Sequence, residues 1–267
     1  MGRMFSSVLA AFLVLAGTIF STAAQDLKDR KIGVVLMHGK WGEPNTQWLY
    51  KLDHALDGAG VLVEKPEMPW SKSRHYDASY EDAMKEIDAT VVKLKSKGAT
   101  RIVVGGHSFG ANAGIGYGAR RDGIAGILAL APGHLPEGRV FREALGNDVA
   151  RAKQLVAEGK GDEKTTFGDV NQGRRSDARA TPKAYLSHFD PQGPAPMTLN
   201  ASKIKGDTPV LWAIGEKDPL FQTGKAMIYD RMPAHPKNRY VEVPGGHLDT
   251  PNNSIAIVLD WLKAITD

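Results

Sequence analysis

Ser108 stands at the centre of Gly106-His107-Ser108-Phe109-Gly110, after the apolar run Arg101 to Gly105 and before a stretch of small residues, Ala111 to Ala119. A serine hydroxyl becomes a useful nucleophile only when a neighbouring base takes its proton. A G-x-S-x-G sequence between a buried strand and a helix holds the serine on a sharp turn with its oxygen exposed. Glycines on either side remove the Cβ atoms that would keep strand and helix apart. A phosphate-binding loop is the other use of a Gly-rich turn here, and the absence of a following Gly-Lys-Ser/Thr disfavours it. Five residues are a short pattern, so its standing depends on what else the chain supplies.

An acid and a base follow in the expected order. The apolar run Val210 to Ile214 leads into Gly215-Glu216-Lys217-Asp218-Pro219-Leu220, and Tyr240 to Val243 leads into Pro244-Gly245-Gly246-His247-Leu248. Taken singly, Asp218 reads as a turn former and His247 as a surface residue. With Ser108, the order Ser, Asp, His makes them the acid and base of a hydrolytic triad. Glu216 is the alternative acid, closer to the strand end. Two N–H donors must face the charge that develops on the substrate oxygen. Phe109, opening the helix after the serine, supplies one, and Lys40 in His38-Gly39-Lys40-Trp41-Gly42 supplies the other. His38 braces that loop, and His107 packs beside the serine. Trp41, Trp70 and Tyr76 are candidate pocket walls, each weighed against an ordinary packing role. No Asp-x-Asp or His-x-His pair suggests a metal, and the chemistry needs no cofactor.

The elements that must carry these residues alternate. Lys31 to Met37, Ala59 to Val63, Ile102 to Val104, Ile124 to Leu130, Val210 to Ile214 and Tyr240 to Val243 read as strands. Tyr80, Met84, Ile87, Val91 and Leu94 repeat at helical spacing, with Ser79 as N-cap and Gly98 as stop. Ile255, Val258, Leu259 and Leu262 share one face of a final helix, after Pro251. Such alternation predicts an α/β fold, a mostly parallel sheet flanked by helices on both faces. One stretch breaks the rhythm. His134 to Gly206 shows amphipathic patches but no clear strands, and is read as an inserted lid.

Composition bounds the rest. The chain of 267 residues can bury a full core as one domain. Its net charge of +4 is spread among interleaved acids and bases, which argues against nucleic-acid binding. Arg3, the apolar core Val8 to Phe20 and Ser21-Thr22-Ala23-Ala24 read as a signal peptide cleaved after Ala24, with Ala23 as the neighbouring choice. That reading predicts a periplasmic or secreted protein with no membrane span after processing. There are no cysteines, which excludes a thiol nucleophile and a disulfide framework.

Leu36-Met37-His38-Gly39, Gly105 to Asn112, the Asp218 loop and Gly246-His247 together resemble the α/β-hydrolase superfamily, over roughly Lys31 to Asp267. The segment Pro69 to Tyr76 is similar to one in an esterase-like branch of exported serine hydrolases. The resemblance implies an eight-stranded type of sheet, a Ser-Asp-His triad and a cofactor-free acyl-enzyme mechanism. Lys40 and Trp41 follow His38-Gly39, so the chain departs from the His-Gly-Gly-Gly of one lipase and esterase branch. The expected function is hydrolysis of carboxylic esters or thioesters of a small-molecule acyl substrate. Peptide or amide cleavage or acyl transfer on the same triad is the alternative, and a non-catalytic envelope-associated binding module is another.

Overall fold

The computed structural model describes residues 27–267; Arg3 to Ala24, read from the sequence as a signal peptide, lie outside them. Six parallel strands form the central sheet: β1 (Ile32–Met37), β2 (Leu62–Glu64), β3 (Arg101–His107), β4 (Gly126–Leu130), β7 (Val210–Gly215) and β8 (Arg239–Val243), in the order β2-β1-β3-β4-β7-β8. Every residue of β1, β4 and β7 is buried, as continuous apolar runs must be when helices cover both faces. Because the strands are parallel, the loops after β1, β3, β4, β7 and β8 all emerge at one edge.

The longer helices among the described residues are α1 (Gln47–Gly58), α2 (Tyr80–Ser96), α3 (Phe109–Gly118), α4 (Arg139–Ala157), α5 (Pro182–Phe189) and α6 (Ile255–Thr266). Two apolar clusters sandwich the sheet. One holds α2, α3 and the inserted segment; the other packs Leu49, Leu52 and Leu56 of α1 with Val258, Trp261 and Leu262 of α6. Helix α2 is well punctuated. The Ser79 hydroxyl accepts the Asp82 N–H, Glu81 and Asp82 lie in the first turn, and Gly98 follows at φ +98. Helix α3 is buried over its whole length, and its small residues let it lie close against the sheet.

Three expectations need correction. Helix α1 was not anticipated, although its apolar residues recur three and four apart. The stretch from His134 to Gly206 is not strandless: between α4 and α5 it contains an antiparallel hairpin of β5 (Thr165–Asn171) and β6 (Arg174–Ala180). Its polar sequence hides it, since β6 reads Arg-Arg-Ser-Asp-Ala-Arg-Ala. The turn residues Gln172 and Gly173 take φ +49 and +75, both positive as a two-residue hairpin loop demands. The eight-stranded sheet implied by the resemblance is therefore six strands plus a separate pair. That tight turn makes β5 and β6 partners of each other, and β2, only three residues long, ends the sheet on its side.

Candidate active site

Ser108 leaves β3 at φ 57, ψ −113, a conformation rare for a non-glycine residue and enforced by the strand-to-helix reversal. Its N–H donates to Leu130 O, and its own carbonyl accepts from Ala111, Asn112 and Gly133, so the turn is held from both sides. The chain reversal aims Oγ away from the sheet, at the edge where the β7 and β8 loops emerge.

Those loops bring the other two residues to it. Asp218 follows β7, its side chain 1% exposed, with Oδ1 accepting the Leu220 N–H at 2.8 Å. His247 follows β8; its Nδ1 lies 2.6 Å from Asp218 Oδ2 and its Nε2 2.9 Å from Ser108 Oγ. Asp218 and His247 sit 29 residues apart, and His247 and Ser108 139 apart, yet the three form one hydrogen-bonded chain. This geometry allows Nε2 to take the hydroxyl proton while the carboxylate holds Nδ1–H and fixes the tautomer. Glu216, the alternative acid, is exposed to solvent.

His107 has a role beyond packing beside the serine. Its Nε2–H donates to the His247 carbonyl at 2.9 Å, and the two rings lie 4.8 Å apart, so it braces the loop that presents His247. Burial first, and the neighbouring His247 second, push the His107 imidazole down to about 3, which keeps it neutral. His38 braces the β1 loop as expected. Its Nδ1–H donates to Gly39 O, its Nε2 accepts the Met68 N–H, and its carbonyl accepts Trp70 Nε1–H.

Phe109 opens α3, ahead of the first intrahelical bond, so its N–H is unspent by the helix. In the β1 loop the Trp41 N–H is committed to Trp70 O and the Gly42 N–H to Gly39 O, whereas Lys40 N–H has no backbone acceptor among the described residues. The loop lies against the serine: a Cβ on Gly39 would stand 3.0 Å from Ser108 Cβ. The Lys40 side chain turns away and is buried against Asp169.

Of the three aromatic candidates, only Trp41 lines the cavity beside Ser108, which has a volume of about 290 Å³. Trp70 and Tyr76 are fully buried and belong to the core beneath it. The Trp70 ring stacks on Phe109 at 4.4 Å, and the Tyr76 hydroxyl donates to Asp169 Oδ2. Their loop is pulled inward by the bond from Trp70 Nε1–H to His38 O, which removes both from the wall. Trp48, Glu43, Lys72, Asn171 and Gln172 also line it. Trp48 carried a signal that was missed, an aromatic half-exposed near the start of α1. The two amides come from a hairpin invisible to alternation. Among the described residues, no group of three or more His, Cys, Asp or Glu side chains is placed to hold a metal ion.

A parallel α/β sheet with a strained serine after its third strand, and an acid and a base after its last two, defines a class of hydrolase. The chain belongs to the alpha/beta hydrolase family, whose model matches residues 34–254. No curated protein matches it in sequence. Among solved structures it is similar to a monoacylglycerol lipase from Paleococcus ferrophilus (22% identity, 88% of this chain and 94% of that one, TM-score 0.63). It is also similar to a thermostable carboxyl esterase from Bacillus coagulans (13% identity, 88% and 90%, TM-score 0.59). A third is a thioesterase domain from the curacin biosynthetic pathway (13% identity, 86% and 90%, TM-score 0.54). At these identities the likeness is one of fold.

Proposed function

We propose that the protein is an exported serine hydrolase that cleaves carboxylic esters or thioesters through an acyl-enzyme. The observation that carries this reading is the unbroken chain Asp218–His247–Ser108, which opens onto a cavity at the carboxyl edge of the sheet. Ser108 Oγ attacks the acyl carbonyl carbon as His247 Nε2 takes its proton, and the Asp218 carboxylate stabilises the imidazolium. The N–H groups of Phe109 and Lys40 meet the oxyanion. His247 returns the proton to the departing alcohol or thiol, and water, activated by the same imidazole, then releases the acid.

The surroundings of Ser108 favour a compact substrate. The chain comes close to the nucleophile at Gly133, where a Cβ would stand 2.7 Å from Ser108 Oγ. Beneath, Phe109 is stacked between Trp70 at 4.4 Å and His134 at 3.9 Å. The cavity of about 290 Å³ beside Ser108, rimmed by Glu43, Lys72 and two amides, is the space offered to acyl and leaving groups. That is at the small end of ligand pockets. The apolar leader Val8 to Phe20 supports export, and the mass of the purified mature protein tests it by showing cleavage at Ala24 or its absence.

A fluorophosphonate probe followed by peptide mapping tests the mechanism. Labelling confined to Ser108 and lost in Ser108→Ala is expected. A folded protein that neither labels nor hydrolyses any ester would be a non-catalytic binding module.

A further inference from the structure

Lys40 and Asp169 form an ion pair shut off from water, their side chains 3% and 0% exposed and Nζ 2.6 Å from Oδ1. Every remaining partner of the pair is in place. The ammonium also donates to Val170 O at 2.9 Å, with the rings of Phe141 and Phe189 4.6 and 5.3 Å away. The carboxylate accepts the Tyr76 hydroxyl at 2.8 Å and the Val170 N–H at 2.6 Å. Burying two opposite charges brings little stability, since a well-packed apolar pair in their place is often neutral or better. The pair must therefore be judged by what it joins.

It joins the β1 loop to the inserted hairpin, 129 residues further along the chain. Lys40 lies in the tight turn Gly39 to Gly42, closed by the Gly42 N–H on Gly39 O at 3.1 Å. The next residue, Trp41, takes φ +56, a backbone conformation that bulky residues hold only when their surroundings over-determine it. Trp70 O holds the Trp41 N–H and Gly39 O the Gly42 N–H, and among the described residues the hydrogen bonds that reach from the turn into the inserted segment are those of the Lys40 side chain.

We propose that Asp169 is a positioning residue for acyl transfer: from the inserted hairpin it holds Lys40, and thereby the N–H that meets the oxyanion. This rests on the reading of Lys40 as an oxyanion donor. It makes a seated hairpin a condition of turnover, and the inserted segment a fixed part of the site. Tyr76, once removed from the pocket wall, becomes the residue that orients the Asp169 carboxylate.

The test is steady-state hydrolysis of p-nitrophenyl acetate by wild type, Asp169→Asn, Lys40→Met and the double variant, well below each melting temperature. Asp169→Asn is expected to lower kcat at least ~10-fold with KM within about threefold, because a small displacement of a catalytic donor acts on the transition state. Lys40→Met should match it, and the double variant should be no worse than either single one, since both remove the same tether. A lower melting temperature with unchanged kcat would overturn the proposal and leave the pair a structural contact. Should Asp169→Asn fail to fold, Tyr76→Phe removes only one hydroxyl and is expected to lower kcat about threefold at unchanged KM; unchanged kcat there overturns it equally. Wild type that neither labels at Ser108 nor hydrolyses the ester would instead sink the hydrolase reading itself.

Discussion

The carbonyl oxygen of Met37 on β1 lies 2.0 Å from where a Cβ would stand on Gly106 of β3. A Cβ on Gly110, two residues after the serine, would meet the same oxygen at 2.4 Å. Both outer glycines of the elbow are thus explained by one backbone atom of the neighbouring strand. Gly106→Ala and Gly110→Ala are expected to destabilise the fold by at least about 2 kcal/mol, read as a lower urea midpoint at unchanged slope. Gly146, inside α4 with open space for 4 Å around the place a methyl would take, is the control. Gly146→Ala should stabilise by ~0.5–1 kcal/mol.

The acid of the site is decided by contact rather than by distance from the strand end. Asp218→Asn should cost roughly 10⁴-fold in kcat with the melting temperature little changed, because the neutral amide favours the wrong His247 tautomer. Glu216→Gln should leave kcat within about twofold, since an exposed side chain away from the chemistry contributes little. Equal losses from the two variants would count against this assignment.

Two tryptophans from neighbouring loops should behave oppositely. Trp70, 0% exposed against Phe109, is core, and Trp70→Ala should cost about 3–5 kcal/mol of stability. Trp41→Phe keeps an aromatic in the cavity wall and should raise KM several-fold with kcat nearly unchanged, the pattern of lost ground-state binding.

The small cavity beside Ser108 sets an expectation for chain length. Across p-nitrophenyl acetate, butyrate, octanoate and decanoate, kcat/KM should fall at least ~10-fold from the shortest pair to the longest, because a cavity of about 290 Å³ has little room for added methylenes. A rate that climbs with chain length would refute the compact-substrate reading.

Buried histidines should make the fold acid-sensitive. Burial pushes His107 down to about 3 and His188 to about 4, and holds His134 well below its ordinary range. Each binds its proton more weakly folded than unfolded, so the unfolded chain takes up protons first as the pH drops. Their contribution is complete above the unfolded value near 6.5 and is lost progressively below it, down to about 4 for His188 and about 3 for His107. The urea midpoint should decline over that window. His188→Gln, whose amide can still donate to Ala78 O, should decline less steeply.

Much of this could be read from residue order. Strands β1, β3, β4 and β7 announced themselves as apolar runs buried almost throughout, whereas β2 begins three residues later than its run Ala59 to Val63 and is half-buried; α2 announced itself by its period, its Ser79 cap and its Gly98 stop. Ser108, Asp218 and His247 were legible because each ends an apolar run, and parallel strands deliver all such ends to one edge. Local signals failed where packing with distant residues decides the outcome. The β5–β6 hairpin lacks alternation because its polar strands pair with each other outside the main sheet.

The sequence by itself therefore determined the parallel α/β architecture, the serine turn and the order of the acidic and histidine loops after it, since apolar runs and turn residues act over short range. Only the tertiary structure decided that Gly106 and Gly110 answer to a single carbonyl, that Trp70 and Tyr76 face inward, and that Lys40 is tethered to Asp169. Those are contacts between segments far apart in the chain, set by close packing and by the need of a buried charge for a partner, and neither leaves a periodic mark on the residues involved.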